Sequence, residues 1–175
     1  MTYTRTKLGE FSGALDVRWI KPDRFIYVPN KDDPFRFKAG DGRLIVPAAM
    51  YTDGGSIPRL FWNVPGYSPW GYAPAYIVHD WLFEAHRCKV PEYSNVTFDQ
   101  SATTLAEGIK TLMESGVAPQ DEQTLVTIYE AVRTPLARRI WDASNACNPP
   151  AGAGFSINDQ PPGELLMTIR TTPKK

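Results

Sequence analysis

Between Tyr51 and Pro74 the chain reads YTDGGSIPRLFWNVPGYSPWGYAP. Its four glycines and four prolines forbid an uninterrupted helix or a central strand, because proline lacks the N–H that either would need and glycine weakens both. At 24 residues, this connection exceeds what a compact domain ordinarily leaves without regular structure, and loops of that length tend to be functional. A short helical turn is expected within it, around Arg59 to Asn63.

The loop also separates two kinds of pattern. The first fifty residues read as strands joined by turns: FIYV (Phe25 to Val28) is rich in β-formers, FRFK (Phe35 to Lys38) alternates aromatic with basic residues, and RLIVP (Arg43 to Pro47) follows the turn AGDG, which predicts a hairpin. Three helices are expected beyond it. The first covers Ala75 to Arg87. The second is capped by Thr97, runs to Glu114 and stops at Gly116, with Phe98, Ala102, Leu105, Ile109 and Leu112 in one stripe. The third begins at Pro119, carries Asp121 and Glu122 where the helix dipole favours acids, and lines up Leu125, Ile128, Tyr129 and Val132; Pro135 interrupts it before LARRIWDA. The expectation is an α+β protein in which a small antiparallel N-terminal sheet packs on about three helices. Residues 1–148 form the single globular domain, and residues 149–175 form a Pro/Gly-rich extension, an extended arm ending in the apolar run LLMTI. That arm could hardly fold alone, so a neighbouring protein is the simplest thing to hold it.

Composition narrows the function classes. The 175 residues are 42% apolar and 12% aromatic, enough for one packed core, and nineteen basic residues balance nineteen acidic ones. No overall field draws the chain to nucleic acid, and no direct nucleic-acid contact is expected. The uncharged stretch from Leu60 to Val78 is broken by Pro65, Pro69 and Pro74, so no transmembrane segment is expected. The opening MTYTRTKLGEFSG lacks the apolar core of a signal peptide, which predicts synthesis and retention in a cytoplasm. Cys88 and Cys147 lie far apart without C-x-x-C spacing and are expected to be reduced, structural thiols.

The chemistry concentrates in YIVHDWLF, residues 76–83. Tyr76, His79, Asp80 and Phe83 share one stripe of the first helix, while Val78, Trp81, Leu82 and Ala85 share the other. Both faces are largely apolar, so the His-Asp pair is predicted to be buried or at the floor of a cleft. Neighbours on a helix point about 100° apart, so each needs a partner from elsewhere. Asp99 is the expected partner of His79; it would fix the tautomer and leave the other ring nitrogen as a base, with Ala102 and Ala106 letting the two helices approach closely. The TDGGSIP loop is the expected neighbour of Asp80, where Asp53 and the backbone of Gly54 and Gly55 would join Asp80 around a hard divalent cation such as Ca2+. Equally, the pair can be a polar network that only pins three elements together. Pro58 stands where G-x-S-x-G needs its second glycine, which makes a serine hydrolase improbable. Arg133, Arg138 and Arg139 read as a solvated helix face.

The blocks VPAAMYTDGGSIPRLFW, AYIVHDWLF, FDQSATTLAEGI, IYEAVR and IW resemble, in that order, a family of phage and prophage proteins of unknown function. The resemblance covers roughly residues 43–141; Ala49, Met50 and Phe98 depart from its pattern. It implies a bacteriophage-encoded, virion-associated protein, a structural or assembly component of the tail or baseplate. Such a protein would be made in the host cytoplasm, pass into the virion, and contact other virion proteins through its C-terminal extension. A more remote likeness is to phospholipase A2. That likeness implies a metal-dependent ester hydrolase with His79 as general base, Asp99 supporting it and Asp80 as calcium ligand.

Overall fold

The computed structural model describes residues 1–22, 24–52, 70–143, 147 and 163–171. Two antiparallel sheets precede four helices, and a last strand returns to the second sheet. The smaller sheet joins β1 (Glu10–Ser12), β4 (Arg36–Lys38) and β5 (Leu44–Ile45) in the order β1-β4-β5. The larger has the order β6-β3-β2-β7, from β2 (Ala14–Ile20), β3 (Arg24–Pro29), β6 (Met50–Thr52) and β7 (Glu164–Arg170). The chain passes from β1 in the first sheet to β2 in the second through Gly13. Its φ of +85° and the Pro34 carbonyl oxygen, 2.2 Å from where a Cβ would sit, leave no room for a side chain. The expected hairpin forms, with the Ala39 and Arg43 backbones bonded across the turn and Gly42 at φ +88°.

Strand alternation explains which faces are buried. In β2, Leu15 and Val17 turn into the core; Asp16 and Arg18 lie on the other face, where Asp16 accepts from Asn30 at 3.0 Å and Thr168 at 2.6 Å. Tyr27, Phe35, Phe37 and Ile45 complete the strand side of the core, and the rings of Phe11 and Phe37 are 4.4 Å apart.

The helices are α1 (Ala73–Arg87), α2 (Phe98–Glu114), α3 (Glu122–Ala131) and α4 (Pro135–Asp142). α1 is buried almost all round, as a sequence with two apolar faces requires. α2 starts at a capping box, with the Gln100 N–H donated to Thr97 Oγ1 and the Gln100 side chain returning to the Thr97 N–H. Gly116 ends it with φ +74°. The expected third helix begins later than Pro119, because Asp121 takes the Thr124 N–H and serves as N-cap. Pro135 interrupts the helical run, as expected, and does so without a kinked continuation. It opens α4 at the first helical position behind Thr134, whose side chain accepts from Ala137, so four helices stand where about three were predicted. Trp141 fastens α4, its ring 4.0 Å from His86 and 4.9 Å from Phe83.

The C-terminal run also differs from the expectation. Residues 164–170 are not an arm waiting for a neighbour; they pair with β2 from Trp19↔Glu164 to Ala14↔Arg170. The Arg18 guanidinium donates to the Gly163 carbonyl at 2.6 Å, and Met167 and Ile169 pack against the core. Residues 148–162 and 172–175, and the helical turn expected at Arg59 to Asn63, lie outside the described residues.

Candidate functional site

His79 and Asp80 sit in the middle of α1. The imidazole is 2% exposed, with Phe83 4.7 Å from its centroid. His79 Nδ1 lies 3.9 Å from Asp80 Oδ1, too far for a hydrogen bond, as expected of adjacent helical residues. Among the described residues Nε2 has no hydrogen-bond partner. Asp80 is only 13% exposed, and its Oδ2 accepts from Thr52 Oγ1 at 2.8 Å. Thr52 is the last residue of β6 and the first of TDGGSIP, so this carboxylate does meet the start of the loop. At the loop's other end Trp70 packs edge-on against Phe25, at 5.2 Å. Asp53, Gly54 and Gly55, proposed as cation ligands with Asp80, lie outside the described residues.

The structure does not bring Asp99 to His79. Its side chain is 64% exposed and pairs with Arg133 Nη2 at 3.3 Å, on the side of α2 that faces the junction of α3 and α4. The reason is rotation about the axis of α2. Phe98, one residue earlier, turns inward and sets its ring 6.2 Å from Phe83, which leaves Asp99 on the wet side. Ala102 and Ala106 are fully buried, and Gly108 lies so near α1 that an added Cβ would come within 2.9 Å of Ala75 Cβ. Close approach of the two helices is therefore real, but an aromatic ring occupies the place foreseen for the acid. Among the described residues no carboxylate reaches the imidazole at hydrogen-bond distance.

A second acid on α2 is placed with more purpose. Glu107 Oε2 accepts the Gly40 N–H at 2.9 Å, tying α2 to the hairpin turn. Burial pushes its carboxyl above the usual range, Gly40 opposes that rise, and Asp41 adds to it. Glu107 lines a cleft with Asp41, Arg43, Asp99 and Thr103.

The sequence reading missed one cluster altogether. Cys88 and Cys147 are not separate thiols: they form a disulfide across 59 positions, with Cα atoms 4.8 Å apart. Glu84, one turn before Cys88 on α1, is buried; its Oε2 takes the Arg87 guanidinium at 2.5 Å and its Oε1 lies 3.2 Å from Cys88 Sγ. One ligand atom from each of Glu84, Cys88 and Cys147 lies within 4.8 Å of the others. The i, i+4 spacing of Glu84 and Cys88 was a usable signal for two of these three residues. Nothing local announces Cys147.

Residues 31–119, just over half of the chain, match the family described as "Protein of unknown function (DUF1353)". No curated protein and no solved structure matches the chain. Among the described residues no helix is long and apolar enough to cross a membrane. The chain belongs to the DUF1353 family.

Proposed function

We propose that this DUF1353 member is a bacteriophage-encoded virion component of the tail or baseplate, which acts by docking to other virion proteins and not by catalysis. The observation that carries the reading is the edge of the larger sheet, which no further strand covers among the described residues. β7 is the outermost strand there, and Leu165 and Leu166 on it are 53% and 49% exposed. An edge strand with apolar side chains invites pairing by a strand of another protein, which natural sheets otherwise guard against. Leu166 is also the extra residue of a bulge, since Val17 pairs with Met167 and Arg18 with Leu165; bulges re-aim side chains at such edges. The phage setting rests on the motif order in the sequence. A disulfide is at home on a particle that leaves the reducing cytoplasm of its host. Docking is favoured over ester hydrolysis because His79 is enclosed and Asp99 is turned away from it. The test is a Leu165→Glu, Leu166→Glu double variant, supplied in place of the wild-type protein during phage growth. It is expected to keep its melting temperature and to be lost from purified particles; full incorporation into particles would refute the docking edge.

A further inference from the structure

We propose that Glu84, Cys88 and Cys147 form a thiol-carboxylate site that, once its disulfide is reduced, binds one Zn2+ ion. Three observations converge on it. The ligand atoms already lie within 4.8 Å of one another. In a tetrahedral site with Zn–S near 2.3 Å, two sulfurs sit about 3.8 Å apart, so the move from disulfide to metal site is a local opening of the two side chains. The second observation is Glu84 itself. Buried on α1 and paired with Arg87 through Oε2, it holds Oε1 3.2 Å from Cys88 Sγ, so the carboxylate already faces the sulfur that would share the ion. A disulfide sulfur has no proton to donate there. A thiol does, and a cation between the two groups suits the carboxylate better still.

The third observation is charge. Two thiolates and one carboxylate carry three negative charges, and Arg87, fixed on Glu84 Oε2, together with one divalent cation neutralises them. Two sulfurs and one oxygen favour a borderline-soft metal over Ca2+ or Mg2+, which take oxygen sets. With three protein ligands a fourth position is left for water.

Cys147 is exposed, so a dithiol reductant can reach the bond. In that exchange the reductant gives up two electrons and becomes a disulfide, the bond between Cys88 and Cys147 breaks, and each sulfur takes up one proton. Zinc then displaces both thiol protons to solvent. The same three side chains thus serve a closed, oxidised form and a metal-holding, reduced form.

The experiment uses the full chain, either oxidised or reduced with a phosphine that is removed under nitrogen. Zn2+ binding is measured by competition with a chromophoric chelator, and Co2+ is used as a spectroscopic stand-in. One equivalent of Zn2+ on the reduced protein, none on the oxidised protein, and a sulfur-to-cobalt charge-transfer band are expected. Cys147→Ser should remove most of that band, and Glu84→Gln should weaken binding by at least about tenfold. Circular dichroism follows the fold in every sample. No binding to the reduced wild type, a reduced chain that unfolds even with zinc present, or a Glu84→Gln protein with unchanged affinity and cobalt spectrum would each overturn the site.

Discussion

Glu107 sits on α2 with 5% of its surface exposed, and burial holds its carboxyl above the ordinary glutamate value. An acid whose pKa is raised in the fold binds its proton more tightly there than in the unfolded chain. Its contribution therefore favours the folded state at low pH, and is lost as pH rises from the ordinary value through the raised one. Glu107→Gln keeps an oxygen for the Gly40 N–H and has nothing to titrate. Thermal melts between about pH 4 and pH 7 should show the wild type losing stability relative to the variant as pH rises; parallel curves would contradict the assignment. His79 and Asp80 illustrate a different point at this scale. That neither answers the other was legible from helical geometry. Which group lies beside the imidazole was not, because a helix wheel orders side chains around its own axis without saying which of them the next helix presents.

At the scale of elements, α1 and α2 are held closer than ordinary side chains permit. The ideal Cβ position at Gly108 lies 2.9 Å from Ala75 Cβ and 3.2 Å from Phe11 Cζ. In an isolated helix Gly→Ala gains about 1 kcal/mol. Forcing a methyl group into a filled contact costs about 1–3 kcal/mol, so the second effect is expected to win here. Gly108→Ala should lower stability by up to about 2 kcal/mol in urea titration, whereas a gain would mean that the helices do not meet at this point. The helix limits themselves were readable. Thr97 and Gly116 bound α2 as their chemistry predicts, and the AGDG turn sets the β4–β5 hairpin. The later start of α3 has a local cause, since Asp121 competes successfully for the N-cap.

For the molecule as a whole, the disulfide ties the end of α1 to the segment beyond α4 and closes a long loop. Cross-links of this kind typically add about 2–4 kcal/mol, chiefly by restricting the unfolded chain. Reduction without added metal should lower the urea midpoint by a corresponding amount, and an unchanged midpoint would show that the bond restrains nothing. The return of β7 is of the same order of connection, with Thr168 donating to Asp16 across 152 positions. The amino-acid sequence by itself determined the α+β division, the hairpin, the bounds of α2 and the burial of His79, because caps, turn residues and periodic stripes act over a few residues of chain. Only the tertiary structure decided that Phe98 and not Asp99 faces α1, that the last strand docks on β2, and that Cys88 meets Cys147. Those outcomes depend on how separate elements rotate and pack against one another, and no short stretch of sequence carries that information.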